Sequence, residues 1–180
     1  MSPQKHEQII IGRAKNALLS FFEQRLSVPK IYLDADWEGQ KVDVLAIDRA
    51  GVGDVSVALV LENKAESAIF ELLEAYRAEI KQKLLSLPAH FKYLVTITQD
   101  SSALEKTMLG PGLVESLSKI PYMFASDGVG RIGVIFVDFR SERPSISVPI
   151  SPERFRSNQH IYDLADSFAT SHTADFEVRP

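Results

Sequence analysis

Apolar residues along this chain change their spacing several times, and each change marks an element. From 4 to 26, Ile10, Ala14, Ala17 or Leu18, and Phe21 recur at helical intervals, with Arg13, Lys15, Asn16, Glu23 and Gln24 largely opposite. That pattern predicts an amphipathic helix, and Pro29 marks its end. Residues 30–37, KIYLDADW, alternate as a strand, and EGQK turns the chain into a second strand at 42–49. AGVGD then leads to a third strand at 55–64. A second helix is predicted over 67–86, with Ile69, Leu72, Leu73, Tyr76, Ile80 and Leu84 as its buried stripe. KYLVTIT at 92–98 reads as a fourth strand.

Beyond residue 100 the pattern is weaker. A helical segment from 101 to about 118 is interrupted by GPG at 110–112, and RIGVIFVDF at 131–139 reads as a strand. A Pro- and Ser-rich connection at 141–152 leads to a last helix near 159–170, and the tail from 173 to 180 reads as frayed. The order is helix, a meander of three strands, helix, strand, then accessory elements. Strands apolar on both faces need cover on both, which predicts an α/β fold with a central mixed sheet flanked by helices.

Composition fits one domain over residues 1–180, with a core at about 4–98 and an accessory part at 99–172. Its 180 residues are 45% hydrophobic, enough for a full core. The chain has no cysteine, which excludes disulfides, thiolate metal sites and a cysteine nucleophile. No apolar run is long enough to span a bilayer, and charges interrupt the N-terminal segment, unlike a signal peptide. The expectation is a soluble, cytoplasmic chain. A net charge of −4 argues against a general nucleic-acid coat protein and leaves room for a local basic groove or an acidic metal site.

The charges inside the sheet sharpen this picture. In VDVLAIDRAGVGDVSVALVLENKAE, residues 42–66, two apolar strands carry Asp43 near one start and Glu62 and Lys64 near the other end. A turn at Val52 and Gly53 would pair Ile47 with Ala58, Leu45 with Val60, and Asp43 with Glu62. Opposed residues share a face, their Cβ atoms about 4.5–5.5 Å apart, with Lys64 two positions further along it. Two facing carboxylates repel unless they share a proton or a cation. Hard oxygen ligands of this kind suit Mg²⁺ or Mn²⁺, which stabilises phosphoryl charge and activates water. Lys64 could then orient that water or stabilise the pentacovalent phosphate. Glu7 lies three residues before Ile10, at the N-terminal end of the first helix, where an anion is tolerated; it could complete the site or remain a solvated first-turn acid.

Asp43 followed by Glu62-Asn63-Lys64, in a helix–strand–strand–strand–helix–strand order, resembles the PD-(D/E)XK nuclease superfamily, which includes restriction endonucleases, Holliday-junction resolvases and phage-type exonucleases. The resemblance covers residues 4–98, and Val42 stands where the name-giving proline would be. It implies a restriction-endonuclease-like core, with metal on Asp43, Glu62 and the main-chain carbonyl of Asn63. It also implies Lys64 as the catalytic lysine and Glu7 as the acid often found on the first helix. The activity implied is Mg²⁺- or Mn²⁺-dependent hydrolysis of DNA phosphodiesters, by a family that often dimerises. The rival from another class is a non-catalytic module of the same fold that binds protein or nucleic acid.

A turn at Glu38–Gly39 would set Asp34 opposite Asp43, and one at Gly39–Gln40 would set Asp36 there; either could enrich the acidic cluster, but both read first as exposed edge-strand acids. Lys41, Arg77 and Lys81 offer a modest phosphate track or a solvated face. His6, beside Glu7, reads as solvent-facing, and His90, His160 and His172 have no ligand spacing. Phe21, Phe22, Phe70, Tyr93, Phe136 and Phe139 read as core.

Overall fold

Prolines bracket the first helix: Pro3 occupies its first turn, where a missing N–H costs nothing, and Pro29 lies just past its end. The structure is a computed structural model that describes residues 3–48, 53–61, 80–98, 125–126, 130–139, 141–156 and 159–177. In order, the elements are α1 (Pro3–Arg25), β1 (Pro29–Trp37), β2 (Gln40–Asp48), β3 (Val55–Val60), β4 (Phe91–Thr98), β5 (Ala125–Ser126), β6 (Gly130–Arg131), β7 (Gly133–Asp138), β8 (Ser145–Ile150), α2 (Gln159–Ser171) and β9 (Phe176–Glu177). Residues 80–86 are also helical.

Seven strands form one mixed sheet in the order β8-β7-β4-β3-β2-β1-β9. β1, β2 and β3 meander antiparallel, whereas β3, β4 and β7 run parallel. Each face has its own core. Ala14, Leu18 and Phe22 of α1 cover Ile31, Val44, Ala46, Ala58, Val95 and Ile135. On the other face, Leu84, Leu87, Ile161, Ala165 and Ala169 pack on Leu45, Ile47, Val57 and Leu94. The alanines of α2 recur every fourth residue and let it lie close to the sheet. Phe168 of α2 meets Tyr32 and Trp37 edge-on, at 5.1 and 5.5 Å between ring centroids.

Three expectations change. The segment read as a Pro- and Ser-rich connection contains β8, whose Ile146 and Val148 pack toward α1 while Ser145 and Ser147 face solvent. The tail read as frayed is tied down: β9 pairs with Lys30 and Ile31, the Asp175 carboxylate accepts the Leu33 N–H, and Asp175 N–H donates to Ile31 O at 2.9 Å. The β2–β3 register also differs. Ile47 pairs with Val55 and Leu45 with Val57, three residues short of the expected partners, because Asp48 N–H closes on Asp54 O and leaves a wider loop than a turn at Val52–Gly53. Strands apolar on both faces carry no alternation to fix that register from sequence.

The α2 side of the sheet also holds a lysine. Lys92 on β4 is 3% exposed, donates from Nζ to Leu85 O at 2.8 Å, and lies 4.4 Å from the Phe155 ring centroid. Burial pushes its pKa down to about 8. Between that value and the ordinary 10.5, the unfolded chain binds more protons than the fold, so stability rises with pH from about 8 upward. Lys92→Met is expected to abolish that rise and to stabilise the protein at pH 7 by up to about 3 kcal/mol. Urea unfolding at pH 7 to 10 measures both, and an unchanged pH slope in the variant would contradict this reading.

Candidate functional site

β1 and β2 lose their alternation at the same level. Ile31 and Leu33 of β1 face α1, while Tyr32, Ala35 and Trp37 face the other side, so one extra residue, Asp34, lies between Leu33 and Ala35. In β2, Val44 and Ala46 face α1, while Val42, Leu45 and Ile47 face away, so Asp43 is the extra residue there. The ladder resumes on either side, with Leu33 opposite Val44 and Ala35 opposite Val42. Asp34 adopts φ of 52°, a left-handed conformation that Asp tolerates better than most residues. The turn at Glu38–Gly39, both with positive φ, sets this register and so brings Asp34 level with Asp43.

Both carboxylates reach toward Lys15 of α1. Lys15 Nζ donates to Asp34 Oδ1 and lies 2.8 Å from Asp43 Oδ1. The lysine side chain is 14% exposed and that of Asp43 25%, so the Asp43 pair is screened from water, whereas Asp34 stands at the rim. Burial alone would lower the Lys15 pKa, but hydrogen bonds and charges from Asp34 and Asp43 outweigh it and raise the value. The other oxygen of Asp43, Oδ2, accepts the Val60 N–H at 2.7 Å. It does so just beyond Val44 and Ala58, the last pair of the β2–β3 ladder on that side, so a side chain continues the work of the backbone. Leu61 N–H then donates to Val95 O, which holds the end of β3 against β4.

Asp43 therefore stands at the sheet end where the chain enters Glu62-Asn63-Lys64. Those three residues, Arg77 and the Glu7 side chain lie outside the described residues. The observed β2–β3 ladder, which ends at Val44 and Ala58, departs from the register on which the opposition of Asp43 and Glu62 was expected. Of the basic residues, Lys41 is exposed at the start of β2 and Lys81 is half-buried in the helical residues 80–86, two segments joined by Gln40 Nε2 donating to Ser86 Oγ. Among the described residues, no group of three or more His, Asp or Glu is arranged to hold a metal ion. None of their helices is long and apolar enough to cross a membrane.

Lys15 is the participant that sequence reading set on the solvent side. It follows Ala14 and precedes Leu18 by three residues, so it borders the buried stripe, and that was the available signal. A second missed cluster sits at the opposite end of β3. His90 is fully buried and its Nδ1 accepts the Val55 N–H at 2.9 Å. Asp54 Oδ1 lies 3.7 Å from that nitrogen and 2.7 Å from Arg154 Nη2.

A double-mutant cycle with Lys15→Met and Asp43→Asn is expected to give a coupling of about 1–3 kcal/mol in unfolding free energy. Lys15→Met alone should destabilise more than Lys15→Met in the Asp43→Asn background, since the single change leaves Asp43 partly buried without its cation. Additive effects would show that the contact contributes nothing.

No family model, curated protein or solved structure matches this chain.

Proposed function

We propose that this chain is a metal-dependent phosphodiesterase of nuclease type with a restriction-endonuclease-like core, acting on DNA at the sheet end marked by Asp43. The observation that carries the proposal is the convergence of Asp34 and Asp43 on one cation, Lys15 Nζ, beside Val60. Glu62-Asn63-Lys64 follows two residues later in the chain. Consecutive β1-β2-β3-β4 neighbours, with α1 on one face and the helical residues 80–86 on the other, support the same reading.

The donor set suits a divalent ion. Carboxylate oxygens are the hard ligands that Mg²⁺ and Mn²⁺ take, and two of them already meet at a position occupied by positive charge. Asp43, Asp34 and Glu62 would hold the ion, with the Asn63 carbonyl beside them. When bound, it supplies charge stabilisation for a phosphoryl group and acidifies a coordinated water. Asp43 keeps Oδ1 toward the cation because Oδ2 is committed to Val60 N–H. Lys15 holds the two acids together, and Lys64 supplies the second positive charge that a pentacovalent phosphate needs.

A second reading, a non-catalytic module of the same fold, is favoured by one observation: the Lys15 bridge already neutralises Asp43 without any metal. Cleavage of plasmid and single-stranded DNA with Mg²⁺ or Mn²⁺ separates the two. Metal-dependent cleavage is expected, falling about 100-fold or more in Lys64→Ala and in Asp43→Asn. Mn²⁺ at 100 times its Kd should also stabilise the fold by about 2.7 kcal/mol, read as a higher Tm. No cleavage of any substrate and no change of Tm with Mn²⁺ would overturn the nuclease proposal.

A further inference from the structure

The most unusual buried group outside the Asp43 site is His90, at the other end of β3. Its ring is fully buried, and because Nδ1 accepts the Val55 N–H, the ring proton of the neutral form sits on Nε2. Nε2 has no hydrogen-bond partner among the described residues. The backbone of His90 also joins three segments: its N–H donates to Val55 O at 2.9 Å, and its carbonyl accepts Phe155 N–H at 2.8 Å.

Among the described residues, charged and titratable groups surround this ring on several elements. Asp54, just before β3, places Oδ1 3.7 Å from Nδ1. Arg154 donates to that same oxygen at 2.7 Å and to the Tyr162 hydroxyl of α2 at 3.0 Å. The Tyr162 ring lies 5.0 Å from the His90 ring, between centroids. Lys92, two residues along β4, turns its ammonium to Leu85 O and the Phe155 ring.

We propose that His90, Asp54, Arg154 and Tyr162 form an acid-sensitive latch that docks α2 on the sheet and loosens when His90 takes up a proton. The second proton must enter at Nδ1, the lone pair that now accepts Val55 N–H. That hydrogen bond is then lost, and two N–H groups face each other in a dry site. The nearest carboxylate oxygen is Asp54 Oδ1, which Arg154 already holds, so imidazolium and guanidinium would stand side by side on one carboxylate and repel. That repulsion falls on Arg154, the link to Tyr162 on α2.

The direction of the pH dependence follows from the same groups. Burial first, then the charge of Arg154, lower the His90 pKa below the ordinary 6.5, with Asp54 opposing. Undocked or unfolded His90 therefore takes up its proton at higher pH than docked His90. Docking is at full strength above about pH 6.5 and weakens as pH falls from there through the folded-state value.

Trp37, the chain's one tryptophan, packs on Phe168 of α2, so its fluorescence reports docking directly. Hydrogen-exchange protection of the α2 amides gives a second readout in the full chain. Between pH 7 and pH 5, α2 protection factors are expected to fall at least tenfold, with a matching shift in Trp37 emission and no comparable change in α1. The midpoint should coincide with the His90 imidazole titration followed by NMR in the unmodified protein, a measurement that depends on no variant. His90→Asn, whose side-chain oxygen replaces Nδ1 as the acceptor for Val55 N–H, should flatten the response. His172→Asn, which removes the imidazole stacked on Phe168, should keep it. Unchanged α2 protection across the His90 titration, a pH response that persists in His90→Asn, or one abolished by His172→Asn would each overturn the proposal.

Discussion

One ammonium group ties α1 to the first three strands at one end of the sheet. Asp34 and Asp43 are the extra residues at which β1 and β2 both break their alternation, and both carboxylates then point to the face covered by α1. Without a cation, that face would carry two neighbouring acids of like charge. Lys15 supplies the cation from α1, and Asp43 passes the connection on to β3 through Val60 N–H. Helix, hairpin and third strand are thus tied at one point, at the sheet end from which the chain runs on to Glu62.

The two ends of β3 carry different polar clusters. At its start, Val55 is held by a buried imidazole and an Asp–Arg–Tyr chain on the α2 side. At its end, Val60 is held by a carboxylate and a lysine on the α1 side. Between them the strand is apolar on both faces and has no polar side chain but Ser56. The first cluster ties an accessory helix to the sheet, and the second ties α1 to β1, β2 and β3 through carboxylates and an ammonium.

Much of the core order was legible in sequence because it follows from periodicity. The stripe of α1, the strand KIYLDADW and the last helix all recur in the structure near their expected bounds. What failed were features that periodicity does not encode. Register between β2 and β3 depends on where Asp48 and Asp54 close the loop, and strands buried on both faces tolerate any shift in sequence terms. Asp34 and Asp43 interrupt alternation in both strands at once, so each strand still looks regular when read alone. Lys15 borders an apolar stripe, and its long stem lets the ammonium reach acids that a helical wheel sets apart from it. β8 and β9 were missed for a related reason: serines and prolines disguise an edge strand with one buried face, and a two-residue strand has no period at all.

The most direct measurement is a titration of the ¹⁵N-labelled protein with Mn²⁺, read at the amide of Val60, whose N–H is bonded to Asp43 Oδ2. Paramagnetic broadening centred on Val60, Asp43 and Asp34 and absent from α2 is expected, and Asp43→Asn should abolish it. Broadening that leaves Val60 sharp, or that centres elsewhere in the fold, would contradict a metal site at Asp43.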